Sequence, residues 1–467
     1  MQRRTQQNLS RDIAIVFASL CCIGSFANAN SGSDSLTATD ATGQVSTFTA
    51  SGRIDTNNPF FQSLGTNGRA CGTCHGVKQA WSMTPADLQS RFATSNGKDP
   101  VFRTNDGSNS PQADVSSVNA RKRAYSMLLN KAVIRVGLGI PANAEFTLSA
   151  VDDPYAFASA SELSLFRRPL PATNLRFITG VMWDGRETHA PFLPPMDAGT
   201  DMSDMVASLK HQVIDATLGH AQATVTPSDA QAQQIVDFEL GLSTAQTYDF
   251  SAGNLNDDDA IGGPRILANL QSYVGINDVL GADPVGAEFN SSAMTLFDAW
   301  QSSNDNGGGG ARASIARGEK LFDTKSIAIT GVGGLNDALG LPVIAGFCTT
   351  CHDAPNVGNH SVALPINIGT SDATRRTPDM PLYTLRNNAT GAVVQTTDPG
   401  KAMISGKWAD IGKFKGPVLR GLAARPPYFH NGMAASLTDV VNFYDTRFNV
   451  GFNAQEKRDL VAFLNAL

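Results

Sequence analysis

Two pentapeptides of the form C-x-x-C-H constrain this chain more than any other feature. The first runs from Cys71 to His75 and the second from Cys348 to His352. In such a motif two thiols form thioether bonds with one edge of a porphyrin, and the histidine becomes an axial ligand of its iron. Two complete copies therefore predict two covalently bound haem c groups. The attaching thiols would be those of Cys71, Cys74, Cys348 and Cys351.

Three other uses of paired cysteines compete with haem attachment. They are a zinc site shared between the two pairs, two disulfides, or a redox-active dithiol. A histidine follows directly after both pairs, which none of these alternatives requires. The chain has six cysteines, and the remaining two, Cys21 and Cys22, lie in an apolar N-terminal segment. The pattern therefore favours haem.

The N-terminus has the pattern of a secretory signal peptide. Three arginines precede an apolar run from Ile13 to Phe26, which is followed by Ala27-Asn28-Ala29. The run is shorter than the ~20 residues of a membrane-spanning helix, and its flanks fit a cleavable signal. We predict that residues 1–29 are removed after Ala29 and that the mature protein is periplasmic, with no membrane span. Export also suits the cofactor, because haem c is attached outside the cytoplasm.

Charge and length limit the remaining possibilities. The 467 residues include 36 Lys and Arg against 42 Asp and Glu, for a net charge of −6. The basic residues form no long run, so nucleic acid is not an expected partner. At roughly 100–200 residues per domain, the length suggests two or three domains.

A glycine-rich stretch predicts where the chain divides. Residues 304–310 read N-D-N-G-G-G-G, the strongest linker signal in the sequence. It would separate an N-terminal haem domain, residues 30–303 with a helical insertion, from a C-terminal cytochrome c-like domain, residues 311–467.

Helical periodicity dominates the local patterns. Ser436 with Asp439 and Asn453 with Glu456 have capping-box spacing, and each pair opens an apolar-periodic run. Strand-like alternation is rare, so the predicted fold class is mainly α: two cytochrome c-like haem domains with long loops. The other predicted helices are Val118–Leu129, Asp201–Leu218, Ser228–Leu242 and Ala311–Asp323.

Three further motifs give the chain a family resemblance. They are W-D-G-R at Trp183–Arg186, R-P-P-Y-F-H-N-G at Arg425–Gly432 and S-L-T-D-V-V-N-F-Y at Ser436–Tyr444. With the paired C-x-x-C-H motifs, they make the chain similar to the bacterial di-haem cytochrome c peroxidases and the MauG-type enzymes. The resemblance implies a peroxide-reacting N-terminal haem and an electron-transferring C-terminal haem. It also implies that Trp183 lies between the two haems, whereas a role in core packing is the alternative.

The same resemblance implies a second axial ligand for the C-terminal iron. The family ligand comes 14 residues after the histidine of the P-Y-F-H motif, here His430, and that position is Tyr444. Peroxidases usually have methionine there and MauG-type enzymes have tyrosine. A phenolate favours oxidised iron, because the metal charge lowers the phenol pKa. Competing ligands are Met433, Met403 and His360, and Tyr444 can also be read as a core residue.

The distal side of the N-terminal haem is less well marked. The family uses a glutamate beyond W-D-G-R as acid/base, and the matching region here contains His220 and Gln222 but no carboxylate. His220 can exchange protons at neutral pH, although a surface or helix-capping histidine would look the same in the sequence.

An interdomain calcium ion is another family feature. The matching positions are Asn109 in N-S-P, Arg425 and Pro427. The family usually has threonine where Arg425 stands, but a backbone carbonyl ligand tolerates that change. An ordinary turn at Asn109 is the alternative.

Two functions remain open from the sequence. The first is a peroxidase or peroxide-dependent oxidase that uses H2O2 and receives electrons from a small donor protein, such as a cytochrome c or cupredoxin, or from an oxidisable substrate. The second is a non-catalytic di-haem electron carrier. W-D-G-R favours the enzyme, and the missing distal carboxylate favours the carrier.

Overall fold

The computed structural model describes residues 35–49, 51–188, 202–302 and 309–467. The predicted signal peptide and most of the predicted linker lie outside these described residues. Asp34–Leu467 forms one compact unit. A search of the described residues finds no helix with the length and apolarity needed to cross a membrane.

The described part of the chain contains α-helices of 4 to 17 residues. They are α1 (Pro85–Ser95), α2 (Val118–Ala124), α3 (Ser126–Lys131), α4 (Ser203–Gly219), α5 (Asp229–Leu240), α6 (Pro264–Ala268), α7 (Gly309–Thr324), α8 (Asn336–Leu339), α9 (Ala402–Ser405), α10 (Leu437–Phe448) and α11 (Ala454–Ala466).

The strands are short and belong to four small sheets. They are β1 (Ser35–Thr39), β2 (Gly43–Thr49), β3 (Ile134–Leu138), β4 (Phe146–Asp152), β5 (Leu163–Arg167), β6 (Leu242–Asp249), β7 (Gly253–Asn254), β8 (Ile327–Thr330), β9 (Val343–Gly346), β10 (Leu382–Asn387) and β11 (Val393–Thr396). The sheet orders are β1-β2-β6-β7, β11-β10-β4, β3-β5 and β8-β9. The strand pairs are antiparallel.

The prediction of a mainly α fold is wrong. Helices of all types account for 32% of the described residues and strands with bridges for 17%, which makes the fold mixed α/β. The strands escaped detection because their partners are remote in sequence. For example, Phe146 pairs with Asn387 in the β4–β10 ladder. All five residues of β5 are buried, so this strand lacks the polar-apolar alternation that marks a half-exposed strand.

Several predicted helices are confirmed, together with their caps. In α5, α10 and α11 the N-cap side chain accepts from the backbone of the third helical residue, whose side chain accepts in return. The predicted helix over Val118–Leu129 divides into α2 and α3 at Tyr125, which adopts a non-helical conformation. The N-terminal caps of α5, α10 and α11 satisfy backbone N–H groups that have no partner within the first helical turn.

Helices α7 and α11 cross closely and support the second haem motif. Gly318 lies at the crossing, where a Cβ atom would come within 2.0 Å of the Asp459 carbonyl oxygen, so only glycine fits. Phe463 and Trp300 are buried in the core that surrounds this crossing, and Cys348 packs against the same core.

Strand pairing also connects segments on both sides of residues 304–310. The β4–β10 ladder is one such connection, and Leu467 accepts a hydrogen bond from Gln246 in β6. The division into domains at 304–310 stays a prediction.

Candidate haem-binding sites

The two C-x-x-C-H motifs fold into the same backbone turn. Each begins with a 3-10 turn, Cys71–Thr73 in the first and Cys348–Thr350 in the second. The amide of each motif histidine donates to the carbonyl of the first cysteine, at 3.0 and 3.1 Å. In both motifs the threonine hydroxyl accepts from the residue before that cysteine, at 2.9 Å. One turn therefore places the two thiols and the imidazole of each motif together.

Both histidines are oriented by a backbone carbonyl. His75 donates from Nδ1 to the Trp81 carbonyl at 3.1 Å, and His352 donates to the Gly358 carbonyl at 2.6 Å. This bond selects the tautomer with Nε2 free to bind a metal. Burial lowers the pKa of His75 to about 4 and also lowers the pKa of His352, so both rings are neutral at pH 7. A neutral imidazole is the form that binds iron.

The thiols fit thioether attachment better than the alternatives. All four cysteines are free. Burial raises the pKa of Cys71, Cys348 and Cys351 to about 12, and it also raises the pKa of Cys74. Moreover, the two metal-ligating clusters found among the described residues contain no cysteine.

A cleft of about 180 Å³ adjoins the first motif. It is lined by Cys71, Cys74 and His75 together with apolar and basic side chains. Of the basic residues, Arg420 is buried and Arg425 is half-buried, and both have guanidinium nitrogens without a hydrogen-bond partner in the described structure. The propionates of a haem would supply acceptors for such donors, so the cleft suits this cofactor.

His220 lies in the wall of the same cleft, as its predicted role requires. Its Nδ1 hydrogen-bonds to the carboxylate of Asp106, which also pairs with Arg69. Burial raises the pKa of Asp106, but the bond to His220 and the nearby charges outweigh burial, and the pKa lies below its ordinary value. Asp106 is therefore an anion that fixes the His220 ring and leaves Nε2 available.

Gln222, the other predicted distal residue, lies elsewhere. It is exposed and does not line the cleft. Its side-chain oxygen accepts from Asn67 at 3.2 Å. Of the two predicted distal residues, the structure brings only His220 to the cleft.

Glu239, at the end of α5, is a carboxyl group that the sequence analysis missed. It lines the cleft and is 6% exposed, and its Oε2 has no hydrogen-bond partner in the described structure. Burial raises the pKa of Glu239 to about 8, so the group is mostly protonated at pH 7. A negative charge on Glu239 would raise the pKa of Cys71. Because such an effect requires proximity, Glu239 lies near the first motif.

Trp183 contributes to the cleft wall and contacts the C-terminal part of the chain. Its indole N–H donates to the Arg168 carbonyl at 2.8 Å, and its own carbonyl accepts from Lys415 at 2.9 Å. The ring centroid lies 6.3 Å from that of His430. Trp183 is therefore held against the P-Y-F-H segment.

The W-D-G-R turn is held in place by a buried ion triad. Arg167 pairs with Asp184 of this turn and with Asp398 of the C-terminal part, at 2.7 Å for the latter. The two carboxylates raise the pKa of Arg167 despite burial, so it stays charged. Neither Arg167 nor Asp398 carries a recognisable sequence signal.

Tyr444 lies beside the second motif. Burial raises the pKa of its phenol, and the Cys351 and Cys348 thiols add to this shift, which places the ring near both. Its ring stacks on Phe448 of α10, with centroids 6.3 Å apart and an 18° interplanar angle. The position is compatible with the predicted axial ligand, although iron ligation itself stays a prediction.

The competing axial ligands lie in different surroundings. Met403 is buried in the core that packs under β4 and β10, apart from the cores that contain the cysteines of the second motif. His360 hydrogen-bonds to Asp353 at 3.0 Å. Met433 is half-buried, and its amide donates to Asn431.

The predicted calcium ligands already have other partners. The Asn109 side-chain oxygen accepts from the Met127 amide at 3.1 Å, and its amide group donates to Arg123 and Ser126. The Arg425 carbonyl accepts from the Arg168 guanidinium at 3.1 Å, which places a cation beside this oxygen. These contacts do not suit calcium. The site, including Pro427, stays a prediction.

Sequence comparison finds partial relatives, and no protein-family model matches the chain. Cytochrome-c peroxidase IdrP2 of Denitromonas iodatirespirans is 34% identical over 133 residues, which cover 26% of this chain and 36% of that protein. Cytochrome c551 peroxidase of Nitrosomonas europaea is 31% identical over 121 residues, 26% of this chain and 30% of that protein. The chain thus spans about a third of the length of these two relatives.

Two solved structures match at low scores. A MauG-like protein associated with microbial copper homeostasis aligns over 88% of this chain and 86% of its own, with 15% identity and a TM-score of 0.38. A variant of the diheme peroxidase BthA from Burkholderia thailandensis aligns over 89% of this chain and 86% of its own, with 15% identity and a TM-score of 0.30. Similarity at this level does not establish a shared fold.

The sequence relatives agree with the resemblance that the motifs indicated. Each of these relatives is named a cytochrome-c peroxidase. Both C-x-x-C-H segments of this chain fold into the same turn. Over the matched residues the chain is accordingly similar to bacterial cytochrome c peroxidases.

Proposed function

We propose that this protein is an exported di-haem c-type cytochrome that acts as a peroxidase or peroxide-dependent oxidase. Hydrogen peroxide is reduced in the cleft beside His75. Electrons come from a small donor protein such as a cytochrome c or cupredoxin, or from an oxidisable substrate. They reach the first haem site through the second haem site and Trp183. The names of the sequence relatives support peroxide as the substrate.

The observation that carries this proposal is the His220–Asp106 pair in the cleft wall. A bound haem would supply an iron that exchanges electrons with peroxide. His220 would take a proton from one peroxide oxygen at Nε2 and would return it to the other oxygen. Asp106 is the positioning residue, because it holds Nδ1–H of His220. Such acid/base catalysis contributes about 10²–10⁴-fold.

Trp183 would complete the path between the two sites. Its ring reaches the cleft on one side and lies against His430 on the other. The ion triad of Arg167 holds the W-D-G-R turn rigid, which keeps the indole in place. We assign the second site, with His352 and Tyr444 as iron ligands, to electron transfer.

Export follows from the predicted signal peptide. Residues 1–29 would be cleaved after Ala29, and haem attachment would take place in the periplasm. N-terminal sequencing of the periplasmic protein tests this part separately.

The test of the proposed activity is His220→Gln in the mature di-haem protein. Gln keeps a polar side chain but cannot exchange protons, so the rate of peroxide reduction should fall by about 10²–10⁴-fold. Stopped-flow spectroscopy of the haem absorbance measures this rate. Gln222→Ala, outside the cleft, serves as the control and should leave the rate unchanged.

The same preparation distinguishes the enzyme from an electron carrier. A high-spin haem in the wild-type spectrum is expected for the first site. If both haems are low-spin and His220→Gln leaves peroxide reduction unaltered, the protein is a non-catalytic electron carrier instead.

A further inference from the structure

A second cluster of ligating side chains lies outside the cleft. It consists of Asp278, Asp353 and His360, whose ligand atoms all lie within 4.8 Å of one another. The three residues are 1%, 0% and 3% exposed. Neither haem attachment nor the proposed peroxide chemistry uses this cluster.

Local hydrogen bonds hold the cluster together. Asp353 accepts from the Ser361 amide at 2.7 Å and from the His360 ring at 3.0 Å. One oxygen of Asp278 accepts from the amides of Leu280 and Ala282. The side chains are therefore positioned before any ligand arrives.

Two atoms of the cluster remain unsatisfied. Oδ1 of Asp278 and Nε2 of His360 are buried and have no hydrogen-bond partner in the described structure. A buried polar atom without a partner costs about 1–3 kcal/mol, and more when it is charged. Native structures therefore rarely leave such atoms without a partner.

The cluster also contains more acidic than basic groups. Among the described residues, the ion pair of Asp353 is with His360, and Asp278 has no ion pair with a Lys or Arg. Two carboxyl groups and one imidazole therefore share a region without solvent access. Buried charged groups in proteins are paired or coordinate metals.

We propose that Asp278, Asp353 and His360 bind one divalent first-row transition-metal ion, with Zn²⁺ as the preferred species. Two carboxylates and one imidazole match the ligands that zinc takes in proteins. A divalent cation would neutralise both carboxylates and would use atoms that now lack a partner. This ion is additional to the two haem irons and does not depend on the proposed peroxidase activity.

The position of the cluster gives the ion a structural role. Asp353 directly follows His352, and His360 lies two residues after Gly358, whose carbonyl orients the His352 ring. Asn277 also donates to the Asp353 carbonyl at 3.0 Å. A bound ion would therefore join the Asp278 loop to the segment that positions His352.

The test is the metal content of the mature di-haem protein after dialysis against EDTA, which removes surface-bound ions. Cells are grown with added Zn²⁺ and Mn²⁺, and plasma mass spectrometry measures each metal relative to iron. We expect about one non-haem metal ion per two haem irons. Iron alone in the wild-type protein would overturn the proposal, and this measurement is decisive even if no variant folds.

Two variants locate the ion. Asp278→Asn should reduce the non-haem metal to background while the haem spectrum of the first site is retained. Asp410→Asn, a buried aspartate outside the cluster, is the matched control and should keep the metal. Equal metal in Asp278→Asn and wild type would contradict the assignment. Loss of peroxidase activity in His220→Gln has no bearing on this result, so the two proposals fail independently.

Discussion

The two haem motifs share one backbone turn but lie in different surroundings. Around His75 the structure has a cleft with ionisable groups, among them His220 and Glu239. Around His352 the structure has aromatic rings, with Phe322 at 5.8 Å between ring centroids and Tyr444 beside the thiols, and the ionisable groups of Asp353 and His360 lie next to the motif rather than in an open cleft. The comparison teaches that the motif determines attachment, whereas the surrounding side chains determine what an iron there can do.

Electrostatics makes the difference between the two sites sharper. In the first site, Asp106 keeps His220 oriented and Glu239 stays protonated at neutral pH because of burial. Such groups can move protons next to a bound peroxide. In the second site the Tyr444 phenol would be available as an iron ligand. We therefore expect the first site to react and the second to transfer electrons.

The largest expected effect tests what the two motifs have in common. Cys71→Ala and Cys348→Ala should each remove one thioether and most of the corresponding haem, because one remaining sulfur holds the porphyrin less firmly. Mass spectrometry and the pyridine haemochrome spectrum measure haem per chain. A variant that retains two haems after acid–acetone extraction would show that one thioether suffices.

The next prediction concerns the reduction potential of the haem at the second site. Tyr444→Met should raise the reduction potential of the C-terminal haem, because a thioether ligand stabilises reduced iron and a phenolate stabilises oxidised iron. Spectroelectrochemical titration measures both haems at once, and the first haem is the internal control. A methionine–iron charge-transfer band in the wild-type ferric protein would instead identify Met433 or Met403 as the ligand.

A third prediction concerns the connection between the sites. Trp183→Phe should slow oxidation of the donor by about tenfold, a barrier increase of ~1.4 kcal/mol, and should leave peroxide binding at the first haem unchanged. Rapid-mixing experiments with reduced donor and with peroxide alone separate the two steps. Equal turnover in the variant would make Trp183 a packing residue.

A fourth prediction is a pH dependence of stability at the first site. Because burial raises the pKa of Glu239 to about 8 from 4.5, the folded chain keeps a proton that the unfolded chain releases. The free energy of unfolding should therefore fall by at most about 1.4 kcal/mol per pH unit between pH 4.5 and about pH 8. It should level off at higher pH. Glu239→Gln should remove this contribution. Thermal unfolding of both proteins at pH 5 and pH 8 provides the comparison, and identical pH dependence would contradict it.

Local sequence was a good guide to features that depend on neighbours in the chain. The capping box at Ser436 and Asp439 follows from a spacing of three residues, and the structure confirms it. The helical face that carries Tyr444 follows from the same helix. The fold class was wrong because pairs such as Phe146 and Asn387 lie far apart in the chain.

The residues of the candidate site also fall into those that local sequence predicts and those that only the fold brings together. The sequence alone determined which thiols and histidines are predicted to attach haem, because a C-x-x-C-H turn is closed by hydrogen bonds within five residues. Only the tertiary structure decided that Asp106 orients His220, a contact across 114 residues, and that Glu239 is buried in the same cleft. Such groups take their pKa from desolvation and from distant charges. These quantities exist only once the chain has folded.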